Sequence, residues 1–342
     1  KSFVGNLAFF ISFLLVEFIF FHSYQLINLS WIFLVLIVGL LLTAVEALGS
    51  YGRDNLYIPL LTAVLYSGTG PVQFSDAGFL LFILLSAYPF YRFTVERGSL
   101  TPGGAISALV LGATVVFVAG GIFLLPLVVF FGSSVLVGKI FPHQTFSDAK
   151  DKQPRDATQV VCNGGVYLLL CVMYSHFDLS DVVIDEDILL DSKVATPSEV
   201  SRFFLADFLP ITLLLALISI AVSTADTWAS EVGQYFRQST YDLLRFKRVE
   251  PGLSGGVSIA GTVAAVIGST LIASLGFLFS IDYSWIDFVT VTTFGFFGML
   301  IDSILGSLLQ RQYHDGTRWS DTPGNLVTHT RGVSWVSNDV VN

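Results

Sequence analysis

The chain has 342 residues, 53% of them hydrophobic and only 13% charged, with a mean hydropathy of +0.73, the composition of a membrane protein. A net charge of −9 with no long basic run excludes nucleic-acid binding as the default role. Cys162 and Cys171 fall within one apolar helix, so no disulfide framework is indicated, and the five histidines show no metal-ligand spacing.

Ten membrane segments are predicted in chain order: 3–21, 30–49, 55–67, 76–93, 103–119, 121–140, 157–176, 203–233, 255–279 and 284–311. The fold class is therefore expected to be all-α and polytopic. The third segment is short for a full crossing and reads as re-entrant or tilted. Position 1 is Lys and opens directly onto an apolar run, as in a processed or trimmed piece. Gly120-Gly121 joins two apolar runs into a hairpin.

Loop charges set the expected orientation. Loop 142–156 carries Lys150, Lys152 and Arg155. Loop 234–253 carries Arg237, Arg245, Lys247 and Arg248, and the tail adds Arg318 and Arg331. Loop 177–202 is acidic instead, with Asp178, Asp181, Asp185, Glu186, Asp187, Asp191 and Glu199. Alternation puts the basic loops on one side, and the positive-inside rule makes that side cytoplasmic.

The eighth segment carries I-A-V-S-T-A-D-T-W-A-S-E-V-G over 220–233. At 100° per residue, Ser223, Asp226 and Ser230 share one face, and Thr224, Thr227 and Glu231 a neighbouring one. Ionisable groups at membrane depth are costly, so Asp226 and Glu231 read as functional; the plainer alternative is a helix end turning polar as it meets water. The next loop ends in P-G-L-S-G-G-V-S-I-A-G-T, residues 251–262. Ser254, Gly255 and Gly256 there expose backbone N–H groups ahead of a helix, an arrangement suited to phosphate, assisted by Lys247 and Arg248. Such a stretch on its own more often marks close helix packing.

In the tenth segment Gly298, Asp302, Gly306 and Gln310 fall at i, i+4, i+8 and i+12. The glycines suit close packing, which leaves an Asp in an otherwise apolar helix unexplained. Asp226 and Asp302, two carboxylates from different helices, suit Mg²⁺, which binds a few carboxylates and keeps its other positions for water and phosphate. Asn163, before Gly164-Gly165, divides evenly between an interhelical hydrogen bond and a role in the site. Asn338 and Asp339 in the tail are further candidates, and Asp339 alone would be read as a solvated surface acid.

Five stretches together resemble the phytyl-phosphate kinase family and its transmembrane relatives. They are T-A-D-T-W-A-S-E-V-G at 224–233, the Gly-rich stretch at 251–262, N-G-G at 163–165, I-D-S-I-L-G-S-L-L-Q at 301–310 and W-V-S-N-D-V-V-N at 335–342. The resemblance covers 98–342. Residues 1–97 resemble instead the C-terminal part of phytol and dolichol kinases, through K-S-F-V-G-N-L-A-F-F at 1–10 and V-E-A-L-G-S-Y-G-R-D-N at 45–55. Val4 stands there where an acid is often found, so no complete second active site is expected in 1–97. Both kinase families are similar to phosphatidate cytidylyltransferases, which implies a shared CTP-using membrane fold.

The resemblance implies transfer of a phosphoryl group from CTP, or another nucleoside triphosphate, to an isoprenoid monophosphate. It implies Mg²⁺ on Asp226 and Asp302, with Glu231, Asn163 and Gln310 orienting ligands. The site would face the cytoplasm among membrane lipids, with a homodimer left open. Two alternatives stay open: a cytidylyltransferase making a CDP-lipid, and a transporter or lipid-binding protein whose acids carry ions.

Overall fold

In this computed structural model the described residues are 2–23, 29–48, 58, 62, 74–142, 154–177, 197–236, 238–249, 251–279, 282–314, 316, 319–321 and 329–336. Their helices are α1 (Phe3–Ser23), α2 (Leu29–Leu48), α3 (Phe74–Glu96), α4 (Pro102–Ala119), α5 (Leu124–Ile140), α6 (Ala157–Phe177), α7 (Pro197–Phe236), α8 (Ile259–Leu275) and α9 (Trp285–Leu309). Six stretches are long and apolar enough to cross a membrane: Pro102–Ala119, Gly121–Ile140, Ala157–Ser175, Pro210–Phe236, Ile259–Leu278 and Trp285–Leu309. Two further apolar helices, Val4–Ile19 and Val35–Ala47, are shorter. Six of the ten expected crossings thus stand among the described residues, and Val4–Ile19 and Val35–Ala47 lie within α1 and α2, helices of 21 and 20 residues. The segment expected over 55–67 lies, but for Ile58 and Thr62, outside them.

Helix ends follow local chemistry. Thr101 caps α4 by accepting the Gly104 N–H at 3.0 Å, with Pro102 in the first helical position. Ser258 caps α8, and Ser284 with Asp287 forms a capping box on α9.

The chain divides into two compact units, residues 1–124 with 171–209 and residues 125–170 with 210–342. In the first, Val38, Leu41 and Leu42 of α2 form a core with Ala113 and Val116 of α4, and Phe9 and Phe13 of α1 pack against it. In the second, Ala225, Ala265 and Met299 bring α7, α8 and α9 together.

The all-α expectation needs one amendment, since the second unit also holds two small antiparallel sheets. Strands β1 (Thr240–Asp242), β2 (Lys247–Val249) and β3 (Gly256–Val257) form one, in the order β2-β1-β3. Strands β4 (Gln312–His314), β5 (Trp319–Ser320) and β6 (His329–Arg331) form the other, in the order β5-β4-β6. Strands this short give too little hydrophobic periodicity to be legible in a sequence.

Candidate functional site

The glycine stripe of α9 sets the site's register. A Cβ on Gly295 would lie 2.7 Å from the Ala221 Cβ and 2.8 Å from that of Ser269, and a Cβ on Gly298 would collide with Val222. Side chains are therefore absent where α9 crosses closest to α7. One turn further along both helices, four residues past Val222 and four past Gly298, the carboxyl groups of Asp226 and Asp302 meet within hydrogen-bonding reach. The two helices run parallel, so the match is one of register. Two carboxylates this close repel unless a proton or a cation lies between them.

Asp226 stands ten residues before the α7 terminus at Phe236, and Asp302 seven before the α9 terminus at Leu309. At 1.5 Å per residue the pair lies roughly 10–15 Å inside the helix ends. The Gly-rich loop packs on the last turns of α9. Gly255 has φ +89°, and a Cβ there would lie 2.5 Å from the Ser307 Cβ and 2.9 Å from the carbonyl oxygen of Ser303, the residue after Asp302. Only a glycine tolerates both the left-handed backbone and the contact. The loop therefore packs closely on α9 at Ser303 and Ser307, the latter about one and a half turns past Asp302 along the same helix.

Asn163 is next to this face through its backbone: the Ser223 hydroxyl, one turn before Asp226, donates to the Asn163 carbonyl at 3.3 Å. Glu231 lies elsewhere. Five residues past Asp226, it is rotated about 140° around α7, and a Cβ on Gly138 of α5 would lie 3.4 Å from its Oε2. Its electrostatic neighbour is Arg155, whose guanidinium lies 5.9 Å from the Phe130 ring. Burial pulls the Arg155 pKa down from its usual value, and the Glu231 carboxylate offsets part of that. Gln310 caps the end of α9, is buried, and its Oε1 has no hydrogen-bond partner. Asn338 and Asp339 lie outside the described residues.

Lys247 and Arg248 are exposed on edge strand β2, with β1 between them and the β3 side that continues the Gly-rich loop. Two strand spacings, about 9.6 Å, separate them from it. Among the described residues, the basic groups that do reach this layer are Arg245 and Arg331. Buried Asp242 accepts the N–H groups of Leu244 (2.9 Å) and Arg245 (3.0 Å), the Arg245 Nη1 (2.7 Å) and the Ser307 hydroxyl (2.7 Å). Burial alone would raise its pKa, yet these donors hold it below the usual carboxylate value. Arg245 also donates to the Ser307 hydroxyl and carbonyl, a cation on the last turn of a helix. The Ser254 N–H (2.9 Å) and hydroxyl (2.7 Å) both donate to one oxygen of Asp321. Gln312 ties Arg331 to the Ser254 carbonyl. Asp242, Gln312 and Asp321 are the residues that sequence patterning misses. The D-L-L-R spacing of an Asx turn closed by an ion pair signals only the first of them.

An apolar cavity of about 310 Å³ lies between α5, α7 and α8, lined by Val137, Phe141, Trp228, Val232, Phe236 and Ala264 among others. Trp228 is two residues from Asp226, hence about 200° around α7, so the cavity is behind the carboxyl pair and not part of it.

No solved structure matches the chain significantly. It is 26% identical over 209 residues to an uncharacterized membrane protein of Methanocaldococcus jannaschii, covering 61% of this chain and 74% of that one. To Protein PGR of Arabidopsis thaliana it is 28% identical over 277 residues, 76% of this chain and 89% of the other. Protein VTE6, chloroplastic, from the same plant is 29% identical over 125 residues, 36% of this chain and 32% of that one. The family described as Integral membrane protein DUF92 matches residues 84–342, and the chain belongs to that family.

Proposed function

We propose that the protein transfers a phosphoryl group from CTP, or another nucleoside triphosphate, to an isoprenoid monophosphate, giving the diphosphate. The observation that carries this is the meeting of Asp226 and Asp302 near the end of a helix bundle, with a glycine-rich loop packed on the last turns of α9. The motif resemblance to phytyl-phosphate kinases and the similarity to Protein VTE6 support the lipid class of the acceptor.

The donor set fits Mg²⁺: two carboxyls from separate helices are hard oxygen ligands, with open positions left for phosphate and water. Among the described residues no larger His, Cys, Asp or Glu cluster of metal-binding type stands elsewhere. Bound there, the ion would neutralise phosphate oxygens of the nucleotide. The residues themselves position and screen. Phosphoryl transfer depends chiefly on aligning two polyanions and offsetting their charge. An acceptor that is already a phosphate needs no strong general base, so a site without histidine suffices. Asp226 and Asp302 would hold the metal-bound phosphates, the loop at Ser254–Gly256 would set their register, and Arg245 and Arg331 would supply positive field. The apolar faces of the spanning helices would take the tail. By the positive-inside rule this end of the bundle would face the cytoplasm, where nucleotide is available.

The test uses purified protein in detergent with phytyl phosphate, Mg²⁺ and CTP labelled in the γ position. Label should move to the lipid with release of CDP. Label recovered only in pyrophosphate would replace this reading with a cytidylyltransferase, and no turnover of either kind would remove the enzyme.

A further inference from the structure

The Asp321 carboxylate occupies an anion seat. One of its oxygens takes both the backbone N–H and the hydroxyl of Ser254, 67 residues away in the chain, at 2.9 and 2.7 Å. A backbone N–H and a serine hydroxyl converging on one oxygen is how glycine-rich loops hold phosphate. The seat is braced from below. Gln312, fully buried, donates to the Ser254 carbonyl at 3.0 Å and accepts the Arg331 Nε–H at 2.6 Å. The Arg331 guanidinium lies 4.3 Å from the Trp319 ring centroid, which fixes its plane. Arg331 feels attraction from Asp321 and Asp242 and repulsion from Arg245, so two cations and two anions share this small volume. Asp242 is held by Arg245 in a 2.7 Å ion pair, so Arg331 shares it and draws further attraction from Asp321.

We propose that Ser254 and Arg331 form the seat for a terminal phosphate of a polyphosphate ligand, and that Asp321 is the internal anion this phosphate displaces. Exchange of one anion for another keeps the guanidinium neutralised and both Ser254 donors satisfied, so release of Asp321 leaves no buried group unpaired. The seat lies on the same end of α9 as Asp302, since Gly255 packs on Ser307 and on the Ser303 carbonyl. A chain of phosphates bound at Asp226 and Asp302 therefore has its continuation at Ser254. This rests on the proposed polyanion chemistry, but it assigns Arg331 and Asp321, and it concerns binding rather than transfer.

The experiment is calorimetric titration of the detergent-solubilised full chain with inorganic tripolyphosphate, which tests the seat without lipid or nucleoside. Asp321→Asn should bind about tenfold tighter than wild type, the scale of one charge-assisted hydrogen bond no longer competed for. Asp282→Asn removes the same charge at the opposite end of the α8–α9 hairpin and should bind as wild type does. Ser254→Ala added to Asp321→Asn, where no internal carboxylate shares the donor, should weaken binding about tenfold relative to Asp321→Asn alone. Asp321→Asn binding no tighter than Asp282→Asn would overturn the displacement and make Asp321 a structural staple. The double variant binding as tightly as Asp321→Asn would overturn the seat, and Asp321→Ala takes the place of Asp321→Asn in both comparisons if the latter does not fold. Tripolyphosphate binding with no γ-label transfer would sink the kinase reading and leave the seat standing; transfer with unaltered binding in both variants would do the reverse.

Discussion

Asp242 and Ser307, 65 residues apart in the chain, are joined by a 2.7 Å hydrogen bond that ties the first small sheet to the last turn of α9. Asp242→Asn would place an amide against the Arg245 donors and leave Arg245 without its ion pair. The expected loss is about 2–3 kcal/mol at neutral pH, read as a lowered Tm. The pH dependence has a definite sign. The folded-state pKa of Asp242 lies below its ordinary value of 3.8, so its contribution is complete above that value. It fades as pH falls through the depressed folded value. The Tm gap between wild type and variant should stay constant from pH 7 to 5 and close below about 4; a gap that widens in acid would refute the depressed pKa.

Asp226→Asn and Asp302→Asn should each abolish most γ-label transfer while leaving a folded protein. The amide keeps the shape of the side chain and removes one charge from a pair in contact, so Tm should hold or rise. Full activity in either variant would take that residue out of the proposed metal site. A matching fall in Tm would mean that the pair is structural.

Gly255→Ala should cost about 2–3 kcal/mol, since it combines a left-handed φ with contacts at 2.5 and 2.9 Å on α9. Gly98→Ala is the control: its φ is +67°, and nothing lies within 4 Å of an added Cβ. It should cost only about 1 kcal/mol, the backbone part alone. Equal losses in the two variants would show that the packing of the loop on α9 is loose.

Cysteine labelling in intact cells tests the orientation, on a background without Cys162 and Cys171. Asp185→Cys, in the acidic stretch outside the described residues, should react with an impermeant maleimide from the outer side. Phe246→Cys, whose side chain is 86% exposed in the turn of the first sheet, should react only after the membrane is opened. Labelling of both from one side would overturn the topology and with it the cytoplasmic site.

The sequence alone determined the environment and singled out the costly acids within it. Apolar run length requires helices, because a backbone in hydrocarbon must satisfy its own hydrogen bonds. An Asp inside such a run is costly enough to stand out, which is why Asp226 and Asp302 are legible from the chain itself. Tertiary structure alone decided which polar groups meet. Pairing of Asp226 with Asp302 depends on Gly298 facing Val222 one turn earlier, a register between helices separated by a whole hairpin. Glu231 shares the motif of Asp226 yet faces Gly138, because five residues turn a helix through about 140°. Lys247 and Arg248 stand on edge strand β2, across β1 from the Gly-rich loop, while Arg331 and Asp321 arrive from the tail through a sheet too short for periodicity to announce. Local pattern encodes what each residue costs to bury; long-range packing selects its partner, and no spacing in the chain records that choice.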